Sequence, residues 1–170
     1  MIAAFDQLLS RYESGALSRR ELVGRLAAMT VVSQPEAAAE PVVGRVTQLN
    51  HVTVFVSDVR KSVAFYQRLF GMPVLSPQDE GINLRAGAGF FGIYPSGGRA
   101  SGINHVCLGL EHFDAETARR RLKDAGVEAS IRLRGETKEL YFTDADDVRV
   151  QLQDVRYVGG TGPLGDRLPK

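Results

Sequence analysis

The hexapeptide Leu49-Asn50-His51-Val52-Thr53-Val54 is similar to Ile103-Asn104-His105-Val106-Cys107-Leu108. An apolar residue, Asn, His and Val thus recur in the same order after 54 residues. A repeat at a fixed period indicates two copies of one supersecondary unit. The two histidines then occupy equivalent positions, each early in a strand. Two half-barrels related by a pseudo-two-fold axis would bring His51 and His105 together, and paired imidazoles predict a metal site.

Composition limits the class of protein. The 170 residues suffice for one domain of ordinary size, and 44% hydrophobic with 24% charged residues is typical of a soluble globular chain. A formal net charge of +1 gives no electrostatic ground for binding nucleic acid or an anionic membrane. The single cysteine, Cys107, excludes an intrachain disulfide framework. No apolar run reaches the length of about 18 residues that a membrane span needs. We therefore expect a cytoplasmic protein.

Residues 1–40 predict an N-terminal helical hairpin. Apolar side chains in residues 2–12 follow helical spacing. Ser18 and Glu21 have the spacing of a capping box, which marks the start of a second helix. The hairpin is expected to cover the sheet, to build a dimer or to cap a sheet edge.

The same region offers a second interpretation, a twin-arginine export leader. Arg19-Arg20 precedes Ala37-Ala38-Ala39, which has the small residues of a cleavage site. Arg25 interrupts the apolar stretch that such a leader requires, so a retained hairpin is favoured and export is the alternative. Residues 33–41, rich in small residues, predict a linker to the next domain.

The repeat organises residues 43–158 into one domain with two modules, about 47–98 and 102–154. Each module begins with a strand that carries a histidine, continues with a helix and ends with three short strands separated by Gly, Pro and Asp. The glycine-rich segment 159–170 predicts a C-terminal tail that is either mobile or docked.

Two further stretches share the order and spacing of a known family. A helix carries Ala64-Phe65-Tyr66 and Leu69-Phe70-Gly71-Met72, and Asp144-Ala145-Asp146-Asp147 precedes an apolar strand. With Asn50-His51-Val52 they resemble the vicinal oxygen chelate superfamily, which includes glyoxalase I, extradiol dioxygenases and bleomycin-binding proteins. The resemblance covers about residues 47–154. It implies an α+β fold in which two βαβββ modules form a curved mixed sheet that cups one divalent metal ion.

The resemblance places metal ligands at His51, His105 and Gln151, the last where the family most often has Glu. The equivalent position in the first module is Gly92, which has no side chain to donate. The implied cofactor is one divalent ion, Fe(II) first, with Mn, Ni or Zn as alternatives. A neutral amide is a poorer ligand than a carboxylate, so the resemblance implies an unusual site.

Other residues of the sheet are candidates for contact with a substrate. Alternation along residues 148–153 independently puts Gln151 on a polar face. Tyr141 is the candidate catalytic residue, and Glu139 is a candidate substitute ligand or base. The candidate substrate-binding residues are Phe90, Tyr94 and Cys107.

Two functions of different classes remain open. The first is a mononuclear metal-dependent enzyme, dioxygenase-like or glyoxalase-like, whose small oxygen-bearing substrate coordinates the metal. The alternative is a metal-free protein that sequesters a small molecule, as in the bleomycin-resistance type. The paired histidines favour the enzyme, and Gly92 with Gln151 favours the binder. A homodimer is compatible with both, and neither nucleic acid nor a membrane is an expected partner.

Overall fold

The computed structural model describes residues 2–31 and 40–169. Most of the expected linker and the Ala37-Ala38-Ala39 cleavage site lie outside the described residues. The chain divides into two compact units, Met1–Glu40 and Pro41–Lys170. Within the described residues, no helix combines the length and the apolar character that crossing a membrane requires.

The first unit contains two helices, α1 (Ile2–Glu13) and α2 (Arg19–Val31). The capping box forms at the start of α2, where the Ser18 backbone N–H donates to Glu21 Oε2 at 2.9 Å and the Glu21 N–H donates to Ser18 Oγ at 3.3 Å. Leu8, Leu17 and Leu22 form a small buried cluster between the helices. The predicted helical hairpin is therefore confirmed.

The second unit consists of eight strands and two helices. In chain order these are β1 (Val46–Val56), α3 (Val59–Phe70), β2 (Val74–Pro77), β3 (Ile82–Ala86), β4 (Gly89–Pro95), β5 (Gly102–Leu110), α4 (Ala115–Asp124), β6 (Ala129–Arg134), β7 (Thr137–Thr143) and β8 (Arg149–Asp154). The strands form one curved mixed sheet in the order β2-β3-β4-β1-β5-β8-β7-β6. The predicted fold class, two βαβββ modules in one sheet, is confirmed.

The two modules meet at the antiparallel pair β1–β5, where Thr53 lies opposite His105 and His51 opposite Cys107. On each side of this pair a parallel neighbour completes the module, β4 beside β1 and β8 beside β5. Both histidine strands are therefore central in the sheet, and their side chains converge at the seam between the modules.

Each helix covers one module, and local chemistry fixes its ends. Asp58 accepts the Lys61 N–H at the start of α3, and Gly71 ends that helix in the left-handed region at φ 63°. Asp114 caps α4 in the same way. Under α3 the buried core contains Val63, Leu84 and Ile93. Under α4 it contains Leu110, Ala115, Ala118, Leu122, Leu140, Val150 and Leu152. Because both helices occupy one face, the opposite face of the sheet is free to form a cavity.

Candidate metal centre and ligand cavity

The helix-free face of the sheet forms a cavity of about 600 Å³. Most of the residues singled out from the sequence line it: His51, Phe90, Tyr94, His105, Tyr141 and Gln151. Cys107 lies on a central strand and has no exposed surface, and it is not among the lining residues. Burial raises the pKa of its thiol well above the ordinary value, so it is a protonated filler below the cavity.

The two histidines meet through their Nε2 atoms, which are 3.1 Å apart. Their rings stand almost perpendicular, with an interplanar angle of 84°. Both side chains are buried, at 4% and 7% exposure. The phrase repeated in the sequence therefore becomes a pair of imidazoles in direct contact.

Asn50 fixes the proton of His51. Its Nδ2 donates to the carbonyl oxygens of Tyr157 at 3.1 Å and Val155 at 3.4 Å, which identifies Oδ1 as the atom facing the ring. That Oδ1 lies 3.0 Å from His51 Nδ1. Because an amide oxygen only accepts hydrogen bonds, Nδ1 carries the proton and Nε2 is left with its lone pair.

Asn104 does the same for His105. Its Oδ1 accepts from Arg149 Nη1 at 3.2 Å and lies 2.8 Å from His105 Nδ1. Because Arg149 donates to this atom, the atom that faces the His105 ring is the amide oxygen and not the amide nitrogen. His105 therefore also carries its proton on Nδ1, and its Nε2 lone pair faces the other ring.

Two lone pairs at 3.1 Å repel each other unless a cation or a proton lies between them. Two nitrogen ligands at about 2.1 Å from one metal ion are about 3.0 Å apart when the two bonds are perpendicular. The observed separation fits such a pair. Hydrogen bonding of the outer ring nitrogen is also the usual way in which proteins orient a metal-binding histidine.

Burial keeps both imidazoles neutral, which is the form that binds metal. Desolvation lowers the pKa of His51 well below its ordinary value, and the nearby His105 lowers it further. Desolvation, followed by the charge of Arg149, lowers the pKa of His105 to about 4. Near neutral pH the pair therefore bears no charge of its own.

Gln151 is the third polar side chain at this point. It pairs with Cys107 on one side and with Tyr141 on the other, and it approaches both imidazoles closely enough to influence their pKa. Its side chain is buried, and Nε2 finds no hydrogen-bond partner among the described residues. A buried N–H donor without an acceptor costs about 1–3 kcal/mol, and an oxygen of a bound molecule, but not a metal ion, would satisfy it.

No three His, Cys, Asp or Glu side chains converge closely enough to hold a metal in the described part of the chain. A site at the histidine pair therefore depends on the Gln151 amide as its third donor. The separation of the two imidazoles fits a divalent ion, and the amide oxygen of Gln151 is a donor type that such an ion accepts.

The position of Gly92 is filled by its neighbours. A Cβ added there would lie 3.1 Å from Thr53 Oγ1, 3.1 Å from Tyr94 Cε2 and 3.2 Å from Asn83 Oδ1. All three distances are tighter than ordinary contacts. A fourth protein ligand could enter from this strand only if these side chains moved.

Glu139 is a buried carboxylate in the cavity wall, with 3% exposure. It accepts hydrogen bonds from the hydroxyls of Tyr141 at 3.1 Å and Tyr157 at 2.9 Å. Arg132 Nε at 3.6 Å and Arg134 Nη1 at 4.0 Å supply countercharge. Burial raises the pKa of both phenols, so they remain protonated donors.

Aromatic rings surround the histidine pair. Phe90 stacks on His51 with ring centroids 4.2 Å apart, and Tyr141 meets His105 edge-on at 5.4 Å. Tyr157 packs beside His51 at 5.4 Å. No pattern in the sequence singles out Tyr157, because it follows the last alternating strand in a glycine-rich segment.

The family model described as Glyoxalase/Bleomycin resistance protein/Dioxygenase superfamily matches residues 48–152. The chain belongs to this superfamily. The match contains both histidines and Gln151, and it ends before Tyr157.

Several members of the superfamily are similar in sequence. Glutathione transferase FosA of Serratia marcescens is 29% identical over 110 residues, which cover 61% of this chain and 78% of FosA. Metallothiol transferase FosB of Staphylococcus saprophyticus is 28% identical over 131 residues, 72% of this chain and 82% of FosB. An ethylmalonyl-CoA/methylmalonyl-CoA epimerase of Cereibacter sphaeroides is 34% identical over 102 residues, 47% of this chain and 72% of the epimerase.

Solved structures confirm the superfamily fold. Methylmalonyl-CoA epimerase from Mycobacterium tuberculosis superposes with a TM-score of 0.56 at 19% identity, over 64% of this chain and 88% of its own. The 2,3-dioxygenase LapB from Pseudomonas gives a TM-score of 0.57 at 15% identity, over 66% of this chain and 42% of its own. At these identities the similarity concerns the fold alone.

Proposed function

We propose that this chain is a metal-dependent enzyme of the vicinal oxygen chelate type, in which His51, His105 and Gln151 hold one divalent ion. The observation that carries the proposal is the pair of Nε2 atoms at 3.1 Å, both with their lone pairs turned inward by Asn hydrogen bonds. A protein that only enclosed a ligand would gain nothing from two facing acceptors. A curated relative named metallothiol transferase supports the same class.

The ion in this proposal is Fe(II), with Mn(II), Ni(II) or Zn(II) as alternatives. Two imidazoles and one amide oxygen suit all four, and the neutral donor set leaves the full charge of the ion uncompensated. When bound, the ion supplies Lewis acidity that polarises a substrate oxygen. The substrate is then a small molecule with an oxygen able to reach the histidine pair.

The residues of this chain favour proton transfer over oxygenation as the reaction. Tyr141 stays protonated and donates its O–H to Glu139, and it can donate to a substrate oxygen only by breaking that bond, which also frees the Glu139 carboxylate to act as a base. A paired acid and base serve an isomerase or lyase step that moves a proton next to a carbonyl. The related epimerase supports this assignment.

The cavity indicates the kind of substrate. Phe90 and Tyr94 supply an apolar wall, and Arg132, Arg134 and Arg149 also line the cavity. Guanidinium groups bind carboxylates and other oxygen anions. We therefore assign a small anionic substrate that carries both an apolar part and a metal-binding oxygen.

Measurement of metal binding tests the proposal. Chelator-treated protein, titrated anaerobically with Fe(II) or Mn(II), should bind one ion per chain, as measured by elemental analysis and calorimetry. His51→Ala and His105→Ala should each lose that binding. His112→Asn is the matched control, because His112 is exposed and Asn tolerates its φ of 55°. Retention of stoichiometric metal by both alanine variants would contradict the site.

The alternative is a metal-free binding protein, and one observation favours it. The space at Gly92 is filled by Thr53, Tyr94 and Asn83, so the donor set lacks a ligand from that strand. Unchanged binding of a cavity ligand in excess chelator, together with no bound metal after reconstitution, would select this alternative.

A homodimer belongs to the same proposal. On α3, the large apolar side chains Phe65, Leu69 and Phe70 are each at least 45% exposed, which suits contact with a second copy. Analytical ultracentrifugation tests whether the protein dimerises, and a monomer at all concentrations would contradict the homodimer.

A further inference from the structure

The segment after β8 lines part of the cavity and contacts both modules. We call residues 155–168 the carboxyl-terminal strap. In the first module, Gln48 Nε2 donates to the Val155 carbonyl at 2.7 Å and Gln78 Nε2 donates to the Gly159 carbonyl at 3.2 Å. In the second module, Thr137 Oγ1 donates to the Gly160 carbonyl at 3.2 Å. The strap therefore joins the modules on one side of the histidine pair.

Glycines let the strap pack closely. Gly165 has φ 65°, and a Cβ there would lie 1.9 Å from Cδ2 of the Tyr157 ring. The Val158 and Gly160 N–H groups both donate to the Gly165 carbonyl at 3.0 Å. Tyr157 itself is 4% exposed. Any side chain at position 165 must displace Tyr157 or the backbone around it.

The strap also sets the orientation of one amide at the site. Asn50 Nδ2 donates to the carbonyls of Tyr157 and Val155, and its Oδ1 consequently faces His51 Nδ1. Without those two acceptors the Asn50 amide can rotate and present Nδ2 to the ring. His51 would then carry its proton on Nε2, where it blocks a cation.

The second histidine is arranged differently. Asn104 is oriented by Arg149 of β8 and makes no hydrogen bond to the strap. The two copies of the repeated Asn-His phrase thus depend on different parts of the chain. A change in the strap should therefore alter His51 alone, whereas a general loss of structure should alter both histidines.

We propose that the carboxyl-terminal strap is the positioning element of His51: the Val155 and Tyr157 carbonyls orient Asn50, and Asn50 holds His51 in the tautomer whose Nε2 can bind a metal ion. Asn50 is a positioning residue and touches no reacting atom. The proposal rests on the proposed function for the identity of the ligand. It goes beyond the superfamily match, which ends at residue 152.

The expected loss of metal affinity can be taken from other metal-binding histidines. Removing the hydrogen-bond partner of a metal-binding histidine typically weakens metal binding about 10- to 100-fold. We expect that loss of Mn(II) affinity when Asn50 loses its oxygen or when the strap is displaced.

Four variants test the proposal, each compared with wild type. Asn50→Leu removes the contact to His51, and Asn104→Leu removes the corresponding contact to His105. Gly165→Ala displaces the strap from a distance. Gly71→Ala is its matched control, because Gly71 has φ 63° against 65° for Gly165 and has nothing within 4 Å of an added Cβ.

Two measurements are made on every variant. Calorimetry with Mn(II) alone gives the metal affinity, and nitrogen-15 NMR of the metal-free protein identifies the protonated nitrogen of each histidine ring. Asn50→Leu and Gly165→Ala should change the tautomer of His51 and leave that of His105 unaltered. Asn104→Leu should do the reverse, and Gly71→Ala should match wild type in both measurements.

The outcomes separate this inference from the proposed function. If His51 keeps its Nδ1 proton in Gly165→Ala, or if His51 and His105 change together, the strap does not position His51. Should Gly165→Ala fail to fold, a wild-type tautomer in Asn50→Leu would overturn the inference equally. If wild-type protein binds no Mn(II), the proposed function fails, whereas the NMR result still decides the role of the strap.

Discussion

Acidification should destabilise the metal-free protein through its buried histidines. The pKa of His105 is about 4 in the folded chain against an ordinary value of 6.5. The folded state therefore resists a proton that the unfolded chain accepts. At about 1.4 kcal/mol for each pH unit, His105 alone removes about 3 kcal/mol of unfolding free energy as the pH falls from 6.5 to 4. His51, whose pKa is also lowered, acts in the same direction.

Urea denaturation followed by circular dichroism in the presence of chelator measures this effect between pH 7.5 and 4.5. Above the ordinary histidine pKa of 6.5 the contribution is fully present, and it declines as the pH falls toward about 4. His105→Gln cannot titrate and should show a shallower decline, whereas His112→Asn should follow wild type. A decline as steep in His105→Gln as in wild type would refute the assignment to the buried pair.

Four other substitutions test the site and the fold. Gln151→Glu should tighten Mn(II) binding by about tenfold or more, because a carboxylate adds opposite charge. The same change should lower the melting temperature of the metal-free protein, because it buries an unpaired charge. An unchanged affinity for Mn(II) in calorimetry would show that Gln151 is not a ligand. Leu140→Ala, at a fully buried position, should cost about 2–5 kcal/mol in urea unfolding, and Leu133→Ala, at 69% exposure, about 0.5 kcal/mol or less. Asp58→Ala should cost about 1 kcal/mol through loss of the α3 cap, and equal stability to wild type would disprove that role.

The sequence contained enough to predict the fold and the position of the histidine pair. Both depend on patterns that recur along the chain, namely the repeated Asn-His-Val phrase and the alternation in β8 that turns Gln151 toward the cavity. The superfamily resemblance was confirmed by a match over residues 48–152. The ligand roles of His51, His105 and Gln151 stay predictions until metal binding is measured.

The strap and the tautomers lay beyond sequence reasoning for a physical reason. The strap accepts hydrogen bonds through backbone carbonyls. Because every residue has a carbonyl, no residue type in the sequence predicts these hydrogen bonds. The glycines of the strap indicate only permissive backbone. The sequence pattern therefore does not distinguish Tyr157, although its ring packs beside His51.

The space around Gly92 was equally hidden. Glycine at that position showed that one donor was missing, but only the packing of Thr53, Tyr94 and Asn83 shows that the position is filled. Glu139 was already a candidate ligand or base from the sequence, but only the structure shows that it is buried and accepts hydrogen bonds from two phenols.

The hydrogen bond from Asn50 to Tyr157 joins residues 107 positions apart. At a synthesis rate of about 5–20 residues per second, a nascent chain exists for about 5–20 s after His51 is made and before Tyr157 is made. During that interval the ring of His51 lacks the contacts that select its tautomer. On the proposed role of the strap, a chain that still lacks residues 155–157 would bind a metal ion about 10- to 100-fold more weakly than one that contains them.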